Sequence, residues 1–167
     1  MEKVLLVTGG GRGIGAATAR LAARRGYAVC VNYRRREDDA KRIVAEIEAG
    51  GGRALAIKAD VSIDEDVVRM FDACDRQLGV LWGLVNNAGV VELQSRLEGI
   101  DSARLQRVFA TNVFGAFSCA REAVRRMSTR GGGLGGAIVN VSSAAASLGS
   151  AGEYLAARGG SRLATAA

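Results

Sequence analysis

Val4-Leu5-Leu6-Val7-Thr8-Gly9-Gly10-Gly11-Arg12-Gly13-Ile14-Gly15 reads as a short buried strand that breaks into a glycine loop and then enters a helix. An apolar run without alternation fits a strand covered on both faces, as in a parallel sheet. Glycines serve such a junction in three ways: they allow the tight turn, let the backbone approach a pyrophosphate, and let the helix pack close to the strand. The start of the helix offers phosphates its unpartnered N–H groups and the positive end of its dipole. A glycine pattern alone also serves plain turns, so its place between strand and helix is what gives it meaning.

Downstream, strands and helices alternate. Residues 14–25, rich in Ala and Leu, predict a helix stopped by Gly26, and residues 28–32 a second buried strand. Residues 38–49 predict a helix with Ala40, Ile43, Val44 and Ile47 on one face, ended by Gly50-Gly51-Gly52. Residues 54–59 predict a third strand. Ser62 and Glu65 predict a capping box for a helix carrying Val67, Phe71, Cys74 and Leu78. Residues 82–85 predict a fourth strand, residues 105–127 the longest helix, and residues 137–141 a fifth strand after a glycine-rich turn. This order specifies an α/β fold, a Rossmann-type doubly wound parallel sheet. It is incomplete at about five strands, against six in the order 3-2-1-4-5-6 common for that fold. No linker or repeat divides the chain, so residues 1–167 read as a single dinucleotide-binding domain.

Composition narrows the function. The 167 residues are 49% hydrophobic, enough for a real core. The net charge of +6 admits an anionic ligand, but the arginines are dispersed and aromatics make up 5%, which counts against base stacking and a nucleic-acid binder. The chain has no His, and Cys30, Cys74 and Cys119 form no CxxC pair, which argues against a metal site and for reduced thiols. The apolar start at 4–7 is too short for a signal sequence or membrane span, so the expected location is the cytoplasm.

Further motifs follow the loop in order. Asp60-Val61 closes the third strand, Asn86-Asn87-Ala88-Gly89 follows the fourth, Asn112 lies in Thr111-Asn112-Val113, and Val139-Asn140-Val141-Ser142-Ser143 forms the fifth strand and its end. Together with Thr8, Gly9, Gly13 and Gly15 they resemble the short-chain dehydrogenase/reductase family, over residues 3 to about 154. The resemblance implies an oxidoreductase that moves hydride between a nicotinamide dinucleotide and a small carbonyl or secondary alcohol. Thr8, Gly9, Arg12, Gly13, Ile14, Gly15, Asp60, Val61, Asn87, Ala88 and Gly89 are then expected to hold the cofactor. An acid at the end of the second strand would favour NAD. Asn32-Tyr33-Arg34-Arg35 stands there instead, and Arg34 or Arg35, with Arg12, offers charge-assisted bonds to a 2′-phosphate. The expected cofactor is NADP(H), bordered by Tyr33 and Arg34.

In that family a Tyr exchanges the substrate proton and a Lys four residues later assists it, a Ser orients the carbonyl, and a helix Asn supports a water-mediated proton path. The resemblance gives the last two roles to Ser143 and Asn112. Tyr154 is the only Tyr after Ser143, and Arg158 stands where the Lys would be. Arg lowers a phenol pKa by its charge but does not relay a proton. Two alignments are open: Tyr154 is the catalytic Tyr, or it matches a Tyr that many relatives carry just upstream. The residues after Arg158 do not resemble the family's helix, so the domain reads as truncated within or just before the catalytic helix. That leaves a second reading, a non-catalytic remnant that at most binds dinucleotide. Family members commonly form homo-oligomers through the long helix, and self-association is a further expectation.

Overall fold

A computed structural model describes residues 2–93 and 95–143. Five strands, β1 (Lys3–Val7), β2 (Tyr27–Tyr33), β3 (Ala54–Lys58), β4 (Leu81–Asn86) and β5 (Ala137–Asn140), pair in parallel in the order β3-β2-β1-β4-β5. The order reverses at β1, so the crevice of an open α/β sheet falls at the carboxyl ends of β1 and β4. Within β2 the side chains alternate between two cores, Ala28 and Cys30 facing one and Val29 and Val31 the other.

On one face pack α1 (Gly13–Arg24) and α2 (Glu37–Ala49), through Ala16, Ala19, Ala40 and Ile43. On the other pack α3 (Asp64–Leu78), through Val67, Phe71 and Cys74, and a long helical run. That run is α4 (Ser102–Phe109), a π-helical turn (Ala110–Phe114) and α5 (Gly115–Met127), with Asp101 capping the Arg104 N–H at 2.7 Å. Cys30, Cys74 and Cys119 are all buried, and burial beside Glu122 pushes the Cys119 thiol up to about 12. Among the described residues β5 has a neighbour on one side only, and no helix is long and apolar enough to cross a membrane.

The expected capping box at α3 does not form. Ile63 occupies the cap position without a side-chain bond. The Ser62 hydroxyl donates instead to Asp60 Oδ1 at 2.6 Å, and Asp66 Oδ2 accepts from the Asp60 N–H at 2.9 Å. The Ser62 N–H, which a capping box gives to the Glu65 carboxylate, also donates to Asp60 Oδ1, at 3.1 Å, so the nearer carboxylate takes both Ser62 donors.

Ion pairs join α3 to α5. Arg126 bridges Asp72 and Asp75, each at 2.5 Å, and Glu122 at 2.7 Å; Arg121 pairs with Asp64 at 2.6 Å. Hydrogen bonds from Arg121 and Ser118 hold Asp64 below the usual carboxylate range. Burial opposes the charge of Glu122, yet the Arg126 hydrogen bond and the charges of Arg125 and Arg126 bring its carboxyl below that range too. Stability from a lowered carboxyl is present above its unfolded pKa and is lost as pH falls through the folded value. The expected melting temperature is flat above about pH 5 and drops below about pH 4, less steeply in Glu122→Gln. Thermal melts across that range check this, and a melting temperature unchanged down to about pH 3 contradicts it.

Candidate functional site

The loop between β1 and α1 is stitched to the end of β4. Thr8 is buried, and its Oγ1 accepts from the N–H groups of Asn87 and Ala88, both at 2.9 Å. Asn87 Nδ2 donates to the carbonyls of Thr8, at 2.9 Å, and Gly9, at 3.1 Å. Gly13 has φ +54°, so it supplies the left-handed turn into α1, and a Cβ there would meet no other heavy atom within 4 Å. Gly15 serves close approach: a Cβ there would lie 2.5 Å from Asn87 Nδ2 and from the Gly9 carbonyl oxygen. The N-cap position of α1, Arg12, makes no side-chain cap bond. The first-turn N–H groups of an α-helix have no partner within the helix, and here Gly13 and Ile14 of that turn line a cleft.

That cleft is a cavity of about 870 Å³. Gly9, Gly11, Arg12, Gly13 and Ile14 line one part; Tyr33, Arg34, Arg35, Arg36 and Asp39 another; Ala59, Asp60 and Val61 a third; and Asn87, Ala88, Gly89, Val90 and Thr111 the fourth. Of the residues expected to hold a cofactor, Gly9, Arg12, Gly13, Ile14, Tyr33, Arg34, Asp60, Val61, Asn87, Ala88 and Gly89 meet on this wall, while Thr8 and Gly15 build it from behind. Its size is within the roughly 300–1,000 Å³ of ligand pockets. Arginines outnumber acids on the wall. Arg34 Nε lies 2.7 Å from Asp60 Oδ2, and Arg36 is 3.6 Å from Asp39. Among the described residues Arg12 and Arg35 have no ion-pair partner. Burial and the charge of Glu37 raise the Tyr33 phenol, which keeps it neutral. An uncapped helix start, glycines that admit close approach, and a cationic wall fit a dinucleotide.

Asn112 sits in the π-helical turn, a feature common at functional sites. Its Oδ1 accepts from the Val90 N–H at 2.7 Å, and its Nδ2 donates to the Val90 carbonyl at 2.9 Å. It therefore fixes the backbone that follows Gly89 on the cavity wall. Gly115 begins α5 against Val61, whose carbonyl oxygen a Cβ would meet at 2.7 Å. Ser143 follows β5, half-buried, and is not part of the cavity wall. Tyr154 and Arg158 lie outside the described residues.

Several residues at the site are given no role by the sequence, although Asn32, Asn86 and Thr111 stand in its motifs. Asn86 Nδ2 donates to the Ala116 carbonyl at 3.0 Å and to Asn140 Oδ1 at 2.9 Å, tying β4 to α5 and β5. Asn32 is buried beside the glycine loop; its signal was a polar residue in an otherwise apolar strand. Thr111 reaches the wall from the motif read for Asn112, and Arg36, Asp39 and Val90 reach it through tertiary contacts that no motif marks.

The family model described as short chain dehydrogenase matches residues 3–166. The chain is 50% identical over 152 residues to the protein named "Uncharacterized oxidoreductase YgfF" of Escherichia coli (strain K12), covering 91% of this chain and 62% of that protein. It is 43% identical over 129 residues to elsinochrome reductase 1 of Elsinoe fawcettii, covering 77% of this chain and 48% of the relative. To versicolorin reductase 1 of Dothistroma septosporum it is 42% identical over 146 residues, covering 87% and 53%. The chain thus spans between 48% and 62% of the length of these three relatives. The family match runs through the glycine loop and every other segment of the cavity wall, and the chain belongs to the short chain dehydrogenase family.

Proposed function

We propose that this chain is the dinucleotide-binding part, a single domain, of an oxidoreductase that transfers hydride between NADP(H) and a carbonyl or secondary-alcohol substrate. The observation that carries the reading is the cavity, with an uncapped helix start at one side and an arginine cluster at the end of β2. The N–H groups of Gly13, Ile14 and Gly15, with Arg12, hold the pyrophosphate. Asp60 and Val61 border the adenine, and Tyr33, Arg34 and Arg35 the phosphorylated ribose. Asn87, Ala88 and Gly89 form the wall toward the nicotinamide, and Thr8 and Gly9 keep that wall against the loop. When bound, the nicotinamide supplies the hydride chemistry. Asn112 positions the Val90 backbone. Ser143 orients the substrate carbonyl, and Tyr154 handles the proton, with Arg158 four residues later in the sequence, at the position of the family's Lys.

Titrating the 167-residue chain with NADPH and NADH tests the cofactor assignment. NADPH is expected to bind about tenfold or more tightly, the worth of one charge-assisted phosphate contact of roughly 1.5–3 kcal/mol. At a hundred times its Kd it stabilises the fold by about 2.7 kcal/mol, roughly 5–10 °C in Tm. The double variant Arg34→Gln/Arg35→Gln is expected to bring NADPH down to the NADH affinity. Equal affinity in the unmodified chain overturns the NADP assignment, and no binding to either overturns the dinucleotide reading. Arg158, in place of the family's Lys, favours a second reading in which the chain binds dinucleotide without turnover. A carbonyl-reduction assay on the NADPH-loaded chain separates the two.

A further inference from the structure

Asn32, one residue from the end of β2, is 2% exposed and uses its whole amide. Its Oδ1 accepts from the Gly9 N–H at 3.1 Å, and its main-chain oxygen accepts from the Gly10 N–H at 2.9 Å. Its Nδ2 donates to the Ala59 carbonyl at 3.0 Å, with the carbonyls of Ile57 and Tyr33 at 3.4 Å. One residue therefore joins the glycine loop to the backbone immediately before Asp60 and Val61. These two sides of the cavity follow β1 and β3, which β2 separates in the sheet. The same bonds occupy the Gly9 and Gly10 amides, which leaves anion binding to the later N–H groups at the start of α1.

We propose that Asn32 is a positioning residue that holds the phosphate-binding loop and the adenine wall at a fixed separation. A ligand that spans both then binds without the entropic cost of aligning them. The inference rests on the dinucleotide reading of the cavity. Only a side chain with an acceptor and a donor serves both sides. Asn32→Asp keeps the acceptor for Gly9 but sets a carboxylate against the Ala59 carbonyl, and Asn32→Ala removes both groups.

Calorimetric titration of the 167-residue chain compares NADPH, which spans both sides, with adenosine 2′-monophosphate, which has no 5′-phosphate for the glycine loop and reaches only the wall at the ends of β2 and β3. Both variants are expected to weaken NADPH about tenfold or more while the monophosphate changes by less than about twofold. Weakening of both ligands by one common factor, or unchanged NADPH binding, overturns the proposal. Should neither variant melt cooperatively, hydrogen exchange at the Gly9 amide of the unmodified chain decides. Protection comparable with the β1 amides is expected, and exchange as fast as an open loop overturns the proposal. If the unmodified chain binds neither ligand, the dinucleotide reading falls and this inference with it. Binding by the unmodified chain with indifferent variants overturns this inference alone.

Discussion

Gly15→Ala is expected to weaken dinucleotide binding about a hundredfold, the equivalent of roughly 2.7 kcal/mol. The added Cβ would sit 2.5 Å from Asn87 Nδ2 and from the Gly9 carbonyl oxygen, and 3.0 Å from the Gly10 Cα. Two of these atoms belong to the backbone, so no rotamer change relieves the contact. Asn87 Nδ2 is the donor that closes the loop onto β4, and pushing it away breaks its bonds to Thr8 and Gly9. The loop then moves away from α1, where the N–H groups for the pyrophosphate begin. Overpacking of this kind also costs about 1–3 kcal/mol of stability, or roughly 2–12 °C in Tm. Gly13→Ala is the matched control. It meets nothing within 4 Å and carries only the penalty of a side chain at φ +54°, about 1–2 kcal/mol. Titration and melting of both variants check the contrast. A Gly15→Ala chain that binds NADPH as the unmodified chain does would refute the close-packing account of this glycine.

The strands and the glycine loop are legible in sequence because their signals are local. Val4 to Val7 is apolar without alternation, and the loop's glycines answer to contacts that a strand-to-helix junction creates anywhere. Alternation gives the parallel sheet and the fold class its order, and the sheet has both. What sequence hid depends on partners far along the chain. The Asn32 amide bonds to Gly9, 23 residues away, and to Ala59, 27 away. Arg34 reads as a free cation, yet it lies against Asp60, so the residue expected at the adenine and the residue expected at the phosphate form one pair. The long helix reads as regular through residue 112, where a π-helical turn brings the Asn112 amide onto Val90. The capping box failed for a related reason. The Ser62 N–H has two carboxylates to choose from, Asp60 and Glu65, and the spacing rule considers only the second.

Thr8→Val carries the second large effect, and it acts without changing shape. Thr8 is 1% exposed, and Val fills the same volume. Its Oγ1 is the acceptor for two successive backbone N–H groups, those of Asn87 and Ala88, and it donates to the Val85 carbonyl at 3.3 Å. Replacing the hydroxyl leaves both N–H groups without that acceptor, at about 1–3 kcal/mol each. Against a typical domain stability of about 5–15 kcal/mol, such a loss is a large fraction. Thr8→Ser keeps the oxygen and removes one buried methyl, worth about 1 kcal/mol. Denaturant unfolding is therefore expected to rank Ser close to the unmodified chain and Val well below it, by about 2–6 kcal/mol. NADPH affinity should follow the same order, because Asn87, Ala88 and Gly89 reach the cavity wall only while β4 is held against the loop. If Val and Ser lose the same stability, water satisfies the two N–H groups and Thr8 is not the latch. If Val loses the most, the residue at the head of the glycine loop is explained by its hydrogen bonds to the end of β4 rather than by contact with any ligand.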